Sequence, residues 1–199
     1  MTTLVNRPAP EFTAAAVLAD GSIEENFSLA SLRGKYVVLF FYPLDFTFVC
    51  PSEIIAHDKR VAEFKERGAE VVGVSIDSQF THSAWRNTSV EAGGIGPVGF
   101  PLVADVNHAI VKDYGIEHDD GVALRASFLI DKEGVVQHAV VNNLPLGRNV
   151  DEMLRILDAL QFAEEYGDVC PAGWKKGDAA MTPTAEGVAS YLAEHADAL

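Results

Sequence analysis

The stretch from Tyr36 to Glu53, YVVLFFYPLDFTFVCPSE, holds the residues of this chain that are best placed for chemistry. An apolar run typical of a buried strand ends at Pro43, and a short turn then leads to Cys50. Because only a thiolate attacks an electrophilic oxygen or sulfur, a cysteine at a strand-to-helix turn indicates nucleophilic redox chemistry. We expect the helix start at residues 51–53 to favour the thiolate through unpaired N–H groups and the positive end of the helix dipole.

Residues close to Cys50 in the sequence are candidates for its pocket. Thr47 lies three residues before Cys50, where its hydroxyl could accept from the thiol or donate to a substrate oxygen. Pro43 would shield the thiolate from water, and the flanking Phe46 and Phe48 favour a dry site. The alternative is that Pro43 ends a strand, Thr47 caps a turn and Cys50 is a small buried hydrophobe. The joint occurrence of proline, threonine and cysteine at this spacing favours the chemical interpretation.

Charged residues are the candidates that could stabilise the thiolate. Arg125 stands immediately before a predicted core strand, and site residues collect at strand ends in α/β sheets. Glu53 could hydrogen-bond to Arg125 or to a second arginine, although the helix dipole alone also favours a carboxylate in a first turn. Arg148 is interpreted as a solvated loop charge.

The order of the predicted elements indicates an α/β fold. Buried strands are predicted at 36–42, 70–77 and 126–131, a hairpin partner at 135–141, and helices at 51–67, 81–91, 150–166 and 184–194. Strands that alternate with helices, together with one hairpin, predict a central mixed sheet flanked by helices, which resembles the thioredoxin-like plan. We expect a main domain over 1–165 and a C-terminal helical tail over 166–199.

Composition limits the class of protein. The 199 residues are 48% hydrophobic and 22% charged, and an acidic net charge of −14 without a Lys/Arg cluster argues against nucleic acid or an anionic membrane as partner. We expect a cytoplasmic chain, because no apolar run approaches a membrane helix and the N-terminus lacks a signal-peptide pattern. The six histidines fall in no metal-ligand spacing and no CxxC occurs, so we expect neither a metal nor a cofactor.

Several of these motifs together resemble one family. The segment FYPLDFTFVCPSE is similar to the peroxiredoxin motif, in which three residues separate a proline from a threonine and two separate the threonine from the peroxidatic cysteine. VCPAGW around Cys170 resembles the resolving-cysteine segment of the typical two-cysteine subfamily, and the likeness continues through LRASFLID and SIDSQFTHSAWRNT. The resemblance implies a thiol peroxidase, like bacterial alkyl hydroperoxide reductase peroxidase subunits and thioredoxin peroxidases, that acts on hydrogen peroxide and organic hydroperoxides.

The resemblance also implies roles for individual residues. Cys50 would be the peroxidatic nucleophile, and Pro43, Thr47 and Arg125 would complete the peroxide pocket. The family also has a second site arginine from elsewhere in the chain, for which the resemblance makes Arg148 a candidate. The Cys50 sulfenic acid would be resolved by Cys170 as a disulfide between two subunits of a dimer. Thioredoxin or a dedicated flavoprotein reductase would then re-reduce that disulfide, and the sequence does not distinguish these donors.

Assembly is a further implication of the resemblance. Phe80 and Thr81 occupy a segment that packs where dimers meet in the rings of relatives, which implies a homodimer that assembles into a decamer. Trp85 is expected in the core or in a shell that supports the site. Plain core packing is the alternative for Phe80 and for Trp85.

Two segments bear on inactivation by excess peroxide. GGIG at 93–96 nearly matches the Gly-Gly-Leu-Gly loop of relatives that are sensitive to overoxidation. Tyr191-Leu192 stands where those relatives carry a Tyr-Phe pair, so the resemblance implies intermediate sensitivity.

Two other functions stay open at this point. A thioredoxin-like disulfide oxidoreductase needs two neighbouring cysteines, whereas Cys50 and Cys170 are 120 residues apart. A holdase chaperone that protects unfolded chains is a role that relatives adopt after overoxidation, and it is compatible with peroxidase activity.

Overall fold

The computed structural model describes residues 3–198. The chain divides into two compact units, Met1–Val150 and Asp151–Leu199. The sequence-based division at 165/166 stays a prediction. Within residues 3–198, no helix is long and apolar enough to cross a membrane.

The first unit is built on a seven-stranded mixed sheet with the strand order β2-β1-β5-β4-β3-β6-β7. The strands are β1 (Thr13–Val17), β2 (Ile23–Ser28), β3 (Tyr36–Phe41), β4 (Ala69–Ser75), β5 (Leu102–Ala104), β6 (Arg125–Ile130) and β7 (Val136–Asn142). β4 pairs in parallel with β3 and β5, and the other neighbours are antiparallel. The predicted thioredoxin-like fold with a central mixed sheet is confirmed.

Helices flank this sheet and continue into the tail. They are α1 (Cys50–Asp58), α2 (Val61–Glu66), α3 (Gln79–Arg86), α4 (Ala109–Asp113), α5 (Val150–Tyr166) and α6 (Ala185–His195). Short 3-10 helices lie at Leu29–Leu32, Val90–Ala92 and Ala196–Ala198.

β3 is the central strand that leads into the candidate site. All six of its residues are buried, because β4 and β6 cover its edges and side chains cover both faces of the sheet. Val37, Leu39 and Phe41 alternate into one hydrophobic cluster, together with residues of β4, β6 and α4. Phe40 contacts the opposite layer, where its ring lies against His57 and Phe100. This second layer holds α1 against the sheet.

The helix predicted at 51–67 is wrong in one respect, because the structure contains two helices there. α1 ends at Asp58, and Arg60 N–H donates to the His57 carbonyl, a bond to the residue three positions back. Such a bond tightens the last turn and interrupts the α-helical ladder. The chain resumes as α2 at Val61, after Arg60 has adopted φ −109° and ψ 0°.

The second unit consists of α5, an irregular segment and α6. A short antiparallel bridge joins Val169 to Met181 through two backbone hydrogen bonds of 2.9 and 3.0 Å. Trp174 is buried, with its ring centroid 4.9 Å from that of Phe162 on α5. These contacts order the segment that carries Cys170.

Candidate active site

Cys50 is the first residue of α1 and is fully buried. Its Sγ lies 3.0 Å from Thr47 Oγ1 and 3.4 Å from Arg125 Nη1. Thr47 comes from the turn between β3 and α1, whereas Arg125 is the first residue of β6. The fold therefore brings together three of the predicted site residues, one of them 75 positions away in the sequence. Pro43 is buried in the same turn.

The Thr47 hydroxyl has two neighbours that compete for its single hydrogen. Besides the Cys50 sulfur, it lies 2.7 Å from the Leu44 carbonyl oxygen, which can only accept. When the hydroxyl donates to Leu44, it can accept from a protonated thiol. When the sulfur is negative, the hydroxyl can turn and donate to it instead. One rotation of a side chain thus suits both charge states of the thiol.

Arg125 is fixed in place on two sides. Its Nε donates to the Leu144 carbonyl at 2.6 Å, and its Nη1 donates to Glu53 Oε2 at 2.7 Å. The guanidinium is buried, with 5% of the side chain exposed, so its charge acts on the sulfur with little screening by water. This geometry attracts a negative sulfur.

The expectation that Arg148 is a solvated loop charge is wrong. Only 3% of its side chain is exposed, and its Nε and Nη2 donate to the two oxygens of Glu53 at 2.8 and 2.9 Å. Its backbone N–H also donates to Glu53 at 2.8 Å, and Nη1 reaches Ser127 Oγ at 3.1 Å. A buried carboxylate needs several donors, and the burial of Glu53, which tertiary packing decides, is what places Arg148 against it.

Glu53 therefore binds both arginines of the site. Burial raises the pKa of Glu53, but the hydrogen bonds and charge of Arg148, with the charge of Arg125, lower it below its ordinary value. The carboxylate stays ionised at neutral pH. The structure thus shows the contacts that the sequence suggested for Glu53, and both arginines are present.

The expectation that unpaired N–H groups at residues 51–53 stabilise the thiolate is wrong. Pro51 has no N–H, and the N–H groups of Ser52 and Glu53 both donate to the Val49 carbonyl, at 3.1 and 3.3 Å. The amides of residues 51–53 are therefore not unpaired donors for the sulfur. The positive group that directly contacts Cys50 Sγ is Arg125.

The prediction that Phe46 and Phe48 enclose a dry pocket is wrong. Phe48 is 96% exposed and Phe46 is 52% exposed. Phe46 adopts φ +54°, which is uncommon for a residue with a side chain. The Phe46 ring lies 5.6 Å from the Trp85 ring on α3.

A buried polar network that the sequence did not reveal holds the turn before Cys50. Asp45 accepts from the Tyr42 hydroxyl at 2.8 Å and lies 2.7 Å from His82 Nδ1, and its backbone N–H donates to Asp77 at 2.8 Å. His82 Nε2 lies 3.2 Å from the Val103 carbonyl. Burial raises the pKa of Asp45, and it also raises that of Tyr42 well above its ordinary value. Asp45 and His82 are 37 positions apart in the sequence, so no local pattern indicated their contact.

α3 carries the residues that were predicted for assembly and support. Phe80 is 67% exposed and Thr81 is half-buried, so plain core packing does not apply to Phe80. Trp85 is fully buried, and its Nε1 donates to the Gly93 carbonyl at 2.9 Å, which ties the GGIG segment to α3. A side chain at Gly94 would collide with the Thr88 carbonyl, which explains one glycine of that segment.

Cys170 lies in the second unit and is half-buried. Its Sγ is 3.5 Å from the Ala159 carbonyl on α5. Burial raises the pKa of Cys170, although the charge of Arg155 acts in the opposite direction. Both cysteines are free thiols. Within residues 3–198, no group of three or more His, Cys, Asp or Glu side chains could hold a metal ion.

A buried thiol held between a hydroxyl and a guanidinium on a thioredoxin-like scaffold defines a cysteine-dependent redox protein. The AhpC/TSA family model matches residues 5–139, and a model described as the C-terminal domain of 1-Cys peroxiredoxin matches residues 159–194. The chain belongs to the AhpC/TSA family, the peroxiredoxins, and is a thiol peroxidase.

Individual relatives cover almost the whole chain. Alkyl hydroperoxide reductase C of Helicobacter pylori strain J99 is 58% identical over 96% of this chain and 98% of its own length. Peroxiredoxin-2 of Rattus norvegicus is 50% identical over 96% of both chains. The reduced 2-Cys peroxiredoxin of Plasmodium vivax has a TM-score of 0.94 at 54% identity, covering 96% of this chain and all of that one.

Proposed function

We propose that this chain reduces hydrogen peroxide and organic hydroperoxides through Cys50, with Thr47, Arg125 and Pro43 forming the peroxide pocket. The Cys50 thiolate attacks one peroxide oxygen, the O–O bond breaks, and the alcohol or water that leaves takes up a proton. Cys50 becomes a sulfenic acid. The observation that supports this proposal most directly is the contact of Cys50 Sγ with both Thr47 Oγ1 and Arg125 Nη1.

In the second step of the proposal, Cys170 of a partner subunit condenses with the sulfenic acid. A disulfide forms between the two sulfurs and water leaves. A dithiol reductant, either of the thioredoxin type or a flavoprotein, then exchanges with this disulfide and restores both thiols. Two cysteines that lie 120 positions apart and serve redox chemistry are typical of a reducing compartment, so the proposal includes a cytoplasmic location and a role in antioxidant defence.

The competing oxidoreductase interpretation lacks a partner thiol. Cys50 is followed by Pro-Ser-Glu, and residues 3–150 contain no second cysteine that could form a vicinal pair. A dithiol exchange site needs two sulfurs within disulfide distance. The contacts of Cys50 with Thr47 and Arg125 suit an oxygen substrate better.

Three exposed phenylalanines support a proposal on assembly. Phe46 and Phe48 follow β3, Phe80 lies on α3, and the Phe46–Trp85 contact connects the two segments. Exposed aromatic side chains of this size are typical of interfaces. We propose that they and Thr81 join homodimers into a ring of ten subunits. The same apolar surface is the feature that favours the alternative function, a holdase chaperone that binds unfolded chains.

A non-reducing gel tests the assigned roles. Reduced wild-type protein treated with one equivalent of hydrogen peroxide should give a disulfide-linked dimer, whereas Cys50→Ser and Cys170→Ser should stay monomeric on the gel. Peroxide consumption should disappear in Cys50→Ser. A covalent dimer in Cys50→Ser, or unchanged peroxide consumption by that variant, would overturn the proposal. Protection of a denatured client by a preparation that consumes no peroxide would favour the chaperone.

A further inference from the structure

His57 is a buried titratable residue on α1 that the proposed peroxide chemistry does not use. It lies seven residues after Cys50 and is only 2% exposed. Its imidazole stacks on the Phe40 ring of β3, with centroids 4.1 Å apart and ring planes 6° from parallel. α1 is therefore attached to the central strand through a side chain that can gain a charge.

The hydrogen-bond geometry shows which form of His57 the folded helix holds. Its Nδ1 lies 2.7 Å from the carbonyl oxygen of Glu53, one helical turn earlier. A carbonyl oxygen only accepts, so Nδ1 carries the hydrogen and donates. The neutral imidazole already provides that hydrogen, and a second proton adds a positive charge to a site shielded from water.

Among the charged groups around His57, Arg148 opposes a further positive charge, and the two nearby carboxylates already have partners. Arg148, from the segment after β7, is buried and has its guanidinium carbon 5.5 Å from the centre of the Phe40 ring. The Glu53 carboxylate, on α1 itself, is already bound by Arg148 and by Arg125 of β6. Asp58, next to His57, has its Oδ1 bound to the Gly99 N–H at 2.7 Å.

Burial lowers the pKa of His57 to about 4, and the charge of Arg148 acts in the same direction, against smaller opposite effects of Glu53. In an unwound segment the ordinary value of 6.5 applies. Between these two values the unwound form binds more protons than the folded helix. The contribution of His57 to the stability of folded α1 is therefore fully present above pH 6.5, and it is lost progressively as the pH drops from 6.5 towards 4.

We propose that His57 is a positioning residue that makes the opening of α1 depend on pH. When neutral, it fastens α1 to Phe40 and to the Glu53 carbonyl, and so keeps Glu53 bound to Arg125 beside the thiol. When protonated, it favours the unwound form of α1, in which Cys50 leaves its buried position. This inference rests on the proposed roles of Cys50 and Cys170 only for its catalytic consequence, faster disulfide formation in mild acid.

Hydrogen–deuterium exchange of α1 tests the opening directly in the reduced, full-length protein. The exchange rate of peptide 50–58 is compared between wild type and His57→Phe at pH 7.5 and pH 5.5. Phenylalanine keeps the stacking on Phe40 but cannot titrate. The ratio of wild-type to variant rates cancels the intrinsic pH dependence of exchange. We expect that ratio to rise up to about tenfold between pH 7.5 and pH 5.5, as the two pKa values of His57 require.

Two further variants sharpen the result. His57→Gln offers an amide donor without a titratable ring, so the ratio of wild-type to His57→Gln rates should rise in the same way. The matched control is His108→Gln, which removes a half-exposed histidine that pairs with Glu117 outside α1. The exchange rate of wild type divided by that of His108→Gln should be the same at both pH values. A ratio to His57→Phe and His57→Gln that does not change with pH would overturn the proposal.

The catalytic consequence is measured separately. The rate of Cys50–Cys170 disulfide formation is measured after one equivalent of peroxide. The rate of wild type divided by that of His57→Phe should be higher at pH 5.5 than at pH 7.5, as in the exchange experiment. The exchange experiment needs neither peroxide nor Cys170. A pH-independent exchange ratio in a protein that forms the disulfide normally would therefore overturn the role of His57 alone. Conversely, the absence of any disulfide would contradict the proposed roles of the cysteines and leave the exchange result intact.

Discussion

Glu53 is the residue on which both guanidinium groups of the site converge. Four N–H donors point at its two oxygens, three from Arg148 and one from Arg125. A carboxylate has about four lone-pair positions, so the group is saturated. Two buried cations around one anion leave a net positive charge beside Cys50. The Glu53 carboxylate thus helps to fix the position of the Arg125 guanidinium beside the Cys50 sulfur.

Glu53→Gln should separate this positioning effect from bulk charge. Glutamine offers one acceptor oxygen and an NH₂ group that would face the guanidinium donors, so Arg125 loses one of the two contacts that fix it, the contact at Nη1 beside the sulfur. We expect kcat/KM for hydrogen peroxide to fall on the order of 10²-fold, as for other displaced catalytic groups. Stopped-flow kinetics measures the effect. Glu70→Gln, which removes the half-exposed partner of Lys35, is the control and should retain wild-type kcat/KM.

Thr47→Val tests the hydroxyl at nearly constant side-chain shape. Valine keeps the branched side chain but cannot donate to the sulfur or to a peroxide oxygen. We expect a loss of roughly 10²- to 10³-fold in turnover, the effect of removing one donor at a reacting centre. Thr47→Ser retains the hydroxyl and should recover most of the activity. Equal activity of the valine and serine variants would contradict a role for the hydroxyl.

α3 is the element that connects the turn before Cys50 with the exposed surface. On its buried face, His82 lies against Asp45. Trp85 contacts the Phe46 ring and donates to the Gly93 carbonyl. Its outer face presents Phe80. One short helix therefore contacts the active-site turn, the GGIG segment and the surface that we propose for assembly.

Trp85 allows a stability test at the scale of this helix. Trp85→Ala should lower the free energy of unfolding by about 3–5 kcal/mol, because it leaves a cavity in a fully buried position. Trp85→Phe keeps much of the packing but leaves the Gly93 carbonyl without its donor, which costs about 1 kcal/mol for the lost hydrogen bond. Chemical denaturation gives both values. Ser83→Ala on the same helix should stay within about 0.5 kcal/mol of wild type.

The elements with strong periodicity were predictable from the sequence. β3 is a continuous apolar run, and α5 has both the apolar spacing and the length of a helix, so both predictions agree with the structure within one residue. The break between α1 and α2 was not predictable, because it depends on one tightened backbone bond at Arg60. The burial of Arg148 was missed because its partner Glu53 is 95 positions away. Burial of that kind is decided by tertiary packing.

At the scale of the whole molecule, acidic charge and exposed aromatic surface act against each other. Each chain carries a formal charge of −14, and ten chains in a ring would repel one another. Salt at 0.1 M screens such charges beyond about 10 Å, while apolar contacts are not weakened in this way. Assembly should therefore respond to ionic strength.

Sedimentation velocity of the reduced protein tests this balance. We expect a larger ring fraction at high salt than at low salt at the same protein concentration. Phe80→Asp replaces an exposed aromatic side chain with a charge and should shift the protein towards dimers. Ile23→Asp adds the same charge on β2 at a site without a proposed role in assembly. If both variants assemble equally well, Phe80 is not part of the ring interface.

The complete burial of Cys50 has a consequence for anyone who wishes to label or inhibit this protein. A molecule as small as hydrogen peroxide needs little displacement of the chain to reach the sulfur, whereas we expect a maleimide or a drug-sized electrophile to react only after the proposed opening of α1. The half-buried Cys170 is the easier target for such reagents. A covalent compound aimed at Cys50 would therefore have its rate limited by the opening of a helix, and improving its intrinsic reactivity would mainly increase its reaction with Cys170.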